Sequence, residues 1–123
     1  MGQVRVMIVD DQSPFRLAAT AVLDSMPDFA VAGTAESGEE AVALAARVRP
    51  ELVLMDVVLP RMSGLEAAAQ LRRLDPPPLV VLVSTYDASE FGEDVERSGA
   101  VAYLDKSAFG PEPLEAIWLA HGA

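Results

Sequence analysis

The chain of 123 residues contains no cysteine, one lysine and one histidine. Without cysteine there are no disulfides, thiolate nucleophiles or thiolate metal ligands, so any chemistry must come from oxygen and nitrogen groups. The sequence also lacks an apolar run approaching the roughly 18 residues of a membrane helix. It does not begin with a basic segment followed by a long apolar stretch. We therefore expect a cytoplasmic protein with no membrane partner.

Basic residues are scarce: nine Lys and Arg stand against nineteen Asp and Glu, which gives a formal net charge of −10. This excess of negative charge repels a phosphate backbone, so we expect no direct binding of nucleic acid by this domain. Because eight of the nine basic residues are arginine, the one lysine, Lys106, is conspicuous. The hydrophobic content of 51% suffices for one core, and we expect one domain over residues 1–123.

Five short apolar runs rich in β-branched residues recur along the chain and predict buried strands. Helix-start signals lie between them. Ser13 with Pro14 predicts the start of a first helix whose Leu17, Ala21, Val22 and Met26 share one face. The runs are residues 4–9, 29–32, 52–55, 79–83 and 101–104; the later helix signals are the capping pairs Ser37/Glu40, Ser63/Glu66 and Asp87/Glu90, then Gly99 as the end of the fourth helix and Pro111 as the start of the fifth.

Strands that alternate with helices predict an α/β fold: a doubly wound parallel sheet of five strands in a three-layer α/β/α arrangement. In such sheets, ligands bind beyond the carboxyl ends of the strands, where the strand order reverses. The residues that follow each strand are therefore the first place to look for chemistry.

Four of the five predicted strands are followed by residues that carry a charge or a hydroxyl. Each alone is compatible with an ordinary loop or cap, but together they predict a site at one sheet edge. The second strand, predicted to end at Gly33 and Thr34, contributes nothing charged. The residues are Asp10 and Asp11 after the first strand, Asp56 after the third, Ser84 and Thr85 after the fourth, and Lys106 after the fifth.

Three clustered carboxylates need a cation. Two carboxylates about 4 Å apart repel each other by about 4 kcal/mol at an effective dielectric constant of about 20. Hard oxygen ligands favour Mg²⁺, which keeps several waters and often bridges to phosphate. Lysine adds a compact positive charge suited to phosphate oxygens. The composition of the site therefore predicts magnesium and a phosphoryl group as its ligands.

Four motifs carry a resemblance to a known family: VMIVDDQ, LVLMDVVLPRMSG, VVLVST and GAVAYLDKS. Over nearly the whole chain, the sequence resembles the receiver domains of two-component response regulators, whose fold is similar to that of flavodoxin and the chemotaxis regulator. The resemblance implies the strand order 2-1-3-4-5. It also implies that Asp56 accepts a phosphoryl group from a sensor histidine kinase.

The resemblance assigns a role to each residue at the sheet edge. Asp11 and Asp56 would bind Mg²⁺ directly, Asp10 through a water, and the backbone carbonyl of Val58 would complete the protein ligands. Lys106 and Ser84 would each contact a phosphoryl oxygen, and once the Ser84 loop moves, Tyr103 would rotate inward to fill the vacated space. The face formed by the fourth helix, fifth strand and fifth helix would then carry the signal. The domain would catalyse only its own phosphorylation and slow dephosphorylation.

Two departures from the family pattern bear on function. Ser107 follows Lys106 where many receivers have a proline in a cis bond, so the sequence does not decide whether the Lys106–Ser107 bond is cis or trans. Val58 and Tyr86 occupy positions that tune the access of water to the acyl phosphate, and an apolar and a bulky aromatic side chain there predict a long-lived phosphoryl state. Two alternatives remain: a pseudo-receiver that only binds partners, and a Mg²⁺-dependent aspartyl phosphatase.

The strings GTAESGEEAV and DVVLPRMSGLEAA resemble receivers that are joined to a helix-turn-helix DNA-binding domain. We therefore expect a role in transcription regulation, either as the receiver piece of a longer regulator or as a stand-alone receiver. A homodimer would use the face of the fourth helix, fifth strand and fifth helix, or the face of the first and fifth helices. The cognate kinase and its signal are not encoded in these patterns.

Overall fold

Five strands pair in parallel and form one sheet in the order β2-β1-β3-β4-β5. The computed structural model describes residues 2–122, so both ends of the predicted domain lie outside the described residues. The chain order reverses between β1 and β3, whose carboxyl ends are neighbours. The strands are β1 (Val4–Val9), β2 (Phe29–Ala35), β3 (Leu52–Asp56), β4 (Leu79–Ser84) and β5 (Ala102–Asp105).

Within residues 2–122, five α-helices connect and cover the strands, which confirms the predicted three-layer fold. Two short 3₁₀ turns, Ala88–Phe91 and Lys106–Ala108, follow β4 and β5. No helix of residues 2–122 is both long and apolar enough to cross a membrane. The helices are α1 (Ser13–Asp24), α2 (Gly38–Val48), α3 (Gly64–Leu71), α4 (Asp94–Arg97) and α5 (Pro111–His121).

The central strands are buried on both faces because their side chains alternate between two apolar layers. In β1, Val6 and Ile8 pack with α1 and α5, whereas Met7 and Val9 pack with α2 and α3. Burying each such side chain contributes about 1.5–3 kcal/mol. This two-sided packing holds the carboxyl ends of the strands in fixed positions, which is what a site at the sheet edge requires.

The predicted first helix is present, but its details differ from the prediction. Its N-cap is Gln12 without a side-chain hydrogen bond, so Ser13 is helical and does not cap it. Leu17 is 71% exposed and Ala21 is also exposed. Val22 and Met26 pack on the sheet as predicted, and the rest of that face is Phe15, Ala19 and Leu23. The sequence pattern is ambiguous here because small apolar residues of α1 lie all around its circumference, so the helix has no clear polar face.

The predicted fourth helix is interrupted. Asp87 and Glu90 do form the expected capping box, but it starts a 3₁₀ turn and not a long α-helix. Gly92 then adopts φ of 58°, outside the helical region, and α4 resumes only from Asp94 to Arg97. Because neither piece contains a fully buried residue, packing does not compensate for the break. Gly99 follows the end of α4, as predicted.

The other cap predictions are confirmed. The hydroxyl of Ser37 accepts a hydrogen bond from the backbone N–H of Glu40, and that of Ser63 from the backbone N–H of Glu66, at 3.1 and 3.2 Å. The cap at Ser63 matters for the site because α3 begins directly behind Asp56. Gly64 donates its N–H to the carbonyl of Val57 at 2.8 Å.

Gly64 lets the start of α3 approach the end of β3. A β-carbon at Gly64 would overlap the backbone oxygen and carbon of Asp56, which cannot move without shifting the strand. We expect Gly64→Ala to lower the free energy of unfolding by about 2–3 kcal/mol, as measured by urea denaturation.

Gly110→Ala is the matched control, since a β-carbon there meets nothing within 4 Å. This change alters only the N-cap of α5 and should cost less than about 1 kcal/mol. Equal losses in the two variants would contradict the close approach at Gly64.

Candidate functional site

The structure brings three carboxylates together at the carboxyl end of the sheet. Asp10 directly follows β1 and Asp56 ends β3; both are almost fully buried, at 0% and 5% exposure, whereas Asp11 is exposed. An oxygen atom from each of the three lies within 4.8 Å of the others. The predicted convergence is therefore present, and it follows from the adjacency of β1 and β3 at the point where strand order reverses.

Backbone amides orient the two buried carboxylates. Oδ1 of Asp10 accepts from the N–H of Gln12 at 2.8 Å, and Oδ1 of Asp56 accepts from the N–H of Val58 at 3.2 Å. Both bonds reach two residues ahead, the local turn that aspartate favours at the end of a strand. Each carboxylate therefore keeps its Oδ2 for other partners.

Lys106 is the cation that faces both buried carboxylates. Its Nζ lies 2.6 Å from Oδ2 of Asp10 and 3.4 Å from Oδ2 of Asp56, and only 18% of its side chain is exposed. Burial opposes the charge on this ammonium, but the two carboxylates outweigh it and raise the pKa of Lys106. The lysine is therefore a fixed positive charge at neutral pH.

The environment of Asp56 disfavours the charged form of its carboxylate more than that of an ordinary aspartate does. Burial, followed by the negative charge of Asp10, raises the pKa of Asp56 to about 6, although Lys106 and the N–H of Val58 oppose the shift. The carboxylate is thus ionised at neutral pH but more basic than usual. Ligands that bring positive charge to this edge will stabilise the ionised form.

The donor set fits a small hard cation such as Mg²⁺. Of the buried side-chain nitrogen and oxygen atoms in residues 2–122, Oδ2 of Asp10 alone has no hydrogen-bond partner. Its close neighbour is the ammonium of Lys106, which pairs with this oxygen by charge at 2.6 Å. Three carboxylates beside one ammonium leave net negative charge and free oxygen lone pairs, which suit a divalent ion with oxygen ligands.

A cleft of about 260 Å³ lies over Asp56. Ser84 ends β4 at its edge, is buried, and accepts the N–H of Tyr86 through its hydroxyl at 3.0 Å. Val58 and Tyr86, about half exposed, flank the opening. The lining residues are Asp11, Gln12, Asp56, Val58, Ser84, Thr85, Tyr86 and Lys106.

Tyr103 lies on β5 beside this cleft and outside its lining. Its hydroxyl donates to the backbone oxygen of Tyr86 at 2.6 Å, and its ring packs against Phe91 with centroids 6.3 Å apart. The tyrosine therefore connects β5 to the segment that leads from Ser84 to α4. Burial raises the pKa of its hydroxyl, so it is a neutral donor at physiological pH.

The turn after Lys106 forms without proline. Asp75–Pro76 is the one cis peptide bond in residues 2–122, so the Lys106–Ser107 bond is trans. The backbone N–H and the hydroxyl of Ser107 both donate to Oδ1 of Asp105, at 2.9 and 2.6 Å. A local cap thus sets the direction of Lys106.

Sequence reasoning missed three residues near the site. β2 extends to Ala35, so Glu36 and not Thr34 follows it, and Glu36 pairs with Arg16 at 3.5 Å. Arg16 also donates to the backbone oxygen of Asp10 at 2.6 Å. The ring of Phe15 lies beside Lys106, with its centroid 5.0 Å from Nζ. Nothing in the linear pattern distinguishes Phe15 and Arg16 from other residues of α1.

Comparison with known proteins agrees with this fold and site. Residues 6–117 match the response regulator receiver domain, so the chain belongs to the receiver domain family of two-component response regulators. The signal receiver domain of the response regulator NarL from Mycobacterium tuberculosis superposes with a TM-score of 0.88 at 28% identity, over 98% of this chain and 97% of that one.

Two curated relatives are longer proteins. The response regulator GacA of Pseudomonas protegens is 39% identical over 116 residues, covering 94% of this chain and 54% of GacA. The transcriptional regulatory protein LiaR of Bacillus subtilis is 37% identical over 115 residues, covering 93% of this chain and 54% of LiaR. The chain therefore spans about half the length of the curated relatives it matches.

The raised pKa of Asp56 predicts a pH-dependent stability. Between its ordinary value of 3.8 and about 6, the folded state binds the proton more tightly than the unfolded state. Ionisation of Asp56 therefore destabilises the metal-free fold above about pH 6, and this penalty disappears as the pH falls through 3.8. In EDTA at about pH 7.5, Asp56→Asn should raise the free energy of unfolding by about 1–2 kcal/mol, because the open cleft screens part of the effect.

Urea denaturation of both proteins between about pH 4 and 8 measures this difference. The gain from Asp56→Asn should shrink toward zero at the acid end. The control is Asp28→Asn, which changes an exposed aspartate and should leave the pH profile as it is in the wild type. A gain that stays constant with pH would contradict the assignment to Asp56.

Proposed function

We propose that Asp56 accepts a phosphoryl group from the phosphohistidine of a sensor histidine kinase, in a reaction that requires Mg²⁺. The observation that carries this proposal is the pairing of one buried, basic carboxylate with one partly buried ammonium at the floor of an open cleft. Asp56 combines two properties that a nucleophile needs here. It is ionised at neutral pH, and it lies in the cleft lining.

Apart from the bond that Asp56 forms to phosphorus, the protein makes no covalent bond during the transfer. A carboxylate oxygen of Asp56 forms a bond to phosphorus while the bond from phosphorus to the donor's imidazole nitrogen breaks, and the imidazole leaves with the electron pair. The protein contributes position and charge, because the transition state is loose and its charge is spread over three equatorial oxygens. The product is an acyl phosphate on Asp56.

Asp11 and Asp56 would hold the magnesium ion directly, Asp10 through a water, and the backbone carbonyl of Val58 would add a further ligand. When bound, the ion would neutralise charge on the phosphoryl oxygens. The Oδ2 of Asp10 supports this assignment, since it is a buried acceptor adjacent to the other two carboxylates, and the ammonium of Lys106 is its close partner.

Lys106 and Ser84 would contact the remaining phosphoryl oxygens. Lys106 now pairs with Asp10 and Asp56, so it can exchange the Asp56 oxygen for a phosphoryl oxygen with a small movement. Ser84 accepts from the N–H of Tyr86 in this conformation, and its own hydrogen remains free to donate to phosphate.

Phosphorylation would change the β4–α4 segment and β5. A phosphoryl group adds about −1.5 to −2 charge and strong acceptors. If Ser84 turns toward it, the Ser84–Tyr86 segment moves, and Tyr86 holds the hydroxyl of Tyr103. The loosely packed region of Ala88–Phe91 and α4 is the element that can respond. The face of α4, β5 and α5 would thereby carry the signal.

The relatives extend the proposal beyond this domain. GacA and LiaR are named as a response regulator and a transcriptional regulatory protein, and each is about twice the matched length. We propose that this receiver, in the cytoplasm, controls transcription through an output domain, with no nucleic-acid contact of its own because of its net charge of −10. A homodimer would use the α4, β5 and α5 face or the face of α1 and α5.

The central test uses acetyl phosphate as the donor. With Mg²⁺, intact mass spectrometry should detect one added phosphoryl group on the wild type, and none on Asp56→Asn or when EDTA replaces Mg²⁺. The exposed-aspartate variant Asp28→Asn should be labelled as the wild type is.

The same experiment separates the alternatives. Hydrolysis of acetyl phosphate with many turnovers and no accumulated adduct would indicate an aspartyl phosphatase. An absence of any reaction, with normal folding, would indicate a pseudo-receiver. Either result would overturn the proposed function.

We also propose that the phosphoryl state is long-lived, because Val58 and Tyr86 flank the cleft opening with an apolar and an aromatic side chain. A water that attacks the acyl phosphate must pass between them. Loss of the adduct, followed by mass spectrometry after removal of the donor, should take many minutes. Tyr86→Ala should accelerate the loss several-fold, and decay of the wild type within seconds would reject this proposal.

A further inference from the structure

The ammonium of Lys106 has neighbours of two kinds. On one side are the carboxylates of Asp10 and Asp56, which it meets at 2.6 and 3.4 Å. The ring of Phe15 is the other close neighbour, with its centroid 5.0 Å from Nζ. Only 18% of the lysine side chain is exposed, so these groups and not water determine its position.

Phe15 is itself held in place by the elements that flank the site. It lies in the first turns of α1, half-buried, and contacts the ring of Phe109 edge to face, with centroids 5.6 Å apart and planes at 61°. Phe109 directly follows the 3₁₀ turn that contains Lys106. The aromatic pair therefore connects α1 to the turn that carries the lysine.

An aromatic face suits a lysine that has to change partners. The ring quadrupole attracts an ammonium but presents no charged oxygen that could compete with a phosphoryl group for it. A carboxylate at this place would hold the ammonium too tightly, and an aliphatic side chain would leave one side of a desolvated cation without a partner. The ring thus limits the ammonium to the cleft without fixing it to one carboxylate.

We propose that Phe15 is a positioning residue for Lys106: its ring keeps the ammonium over the phosphoacceptor cleft as it moves from Asp56 to the phosphoryl group. This inference rests on the proposed function of Asp56. Phe15 does not line the cleft itself, and its effect on phosphoryl transfer passes through Lys106, which does.

The single lysine of the chain permits a direct spectroscopic test. Protein made with ¹³C-lysine has one Cε–Hε signal, and that signal should be shifted upfield by the ring current of Phe15. Without Mg²⁺ or a phosphoryl donor, Phe15→Leu should move the signal toward the value of a free lysine. Phe15→Tyr, which keeps the ring face, should retain the shift. A wild-type signal at the free-lysine position would overturn the proposal.

The kinetic test measures phosphorylation of the intact chain by saturating acetyl phosphate with Mg²⁺. Phe15→Leu should lower the maximal rate about fivefold, equal to about 1 kcal/mol, and Phe15→Tyr should restore it. The control, Phe109→Leu, removes the same aromatic pair and a similar apolar area but leaves a ring beside Lys106. Its rate should stay within about twofold of the wild type.

Urea denaturation shows whether Phe15→Leu and Phe109→Leu lose similar stability, so that a difference in rate reports position and not folding. Equal phosphorylation rates for Phe15→Leu and the wild type would overturn the role of Phe15. Equal reductions of the phosphorylation rate in Phe15→Leu and Phe109→Leu would do the same. Either result would leave the phosphorylation of Asp56 intact. A wild type that forms no adduct would instead reject the proposed function, and with it the catalytic consequence of Phe15.

Discussion

The repulsion between Asp10 and Asp56, held side by side at the ends of β1 and β3, is the constraint on which the site depends. Both carboxylates are buried, and the pKa of Asp56 is raised to about 6 because burial and the neighbouring charge act together. Lys106 compensates for only part of this negative charge. The remaining negative charge suits a cation, and under the proposed function the free energy recovered when a cation and a phosphoryl group bind would be available to shift the rest of the molecule.

The hydrophobic layers on both faces of the sheet sustain this repulsion. Alternating side chains of β1 pack against α1 and α5 on one face and against α2 and α3 on the other, so the strand ends cannot separate to relieve the charge. Around the cleft, the packing is uneven. α3 is anchored behind Asp56 through Gly64, whereas the segment from Ala88 to Arg97 has no fully buried residue. The well-packed start of α3 thus holds the carboxylates in place, and the loosely packed segment from Ala88 to Arg97 can move when their charge is neutralised.

Sequence reasoning succeeded where a local pattern implied a position. Asp56, Ser84 and Lys106 were placed at one edge because each follows an apolar run, and parallel strands bring their carboxyl ends together. It failed where position depends on packing partners. The sequence pattern predicts Leu17 on the inward face of α1 because alanines obscure the helix periodicity, whereas Leu17 is exposed; it also predicts a longer fourth helix, which Gly92 interrupts at a positive φ. The sequence does not indicate a role for Phe15 at the site, since an aromatic residue in an apolar helix is ordinarily part of the hydrophobic core.

The sequence by itself determined which residues could do chemistry and at which edge they would meet. The absence of cysteine, the single lysine and the aspartates after strands restrict the site to oxygen ligands and one ammonium. Only the tertiary structure decided how these groups share charge. The 2.6 Å approach of Lys106 to Asp10 and the ring beside Lys106 arise where three separate segments pack, because distances between segments depend on the whole core and not on any local pattern.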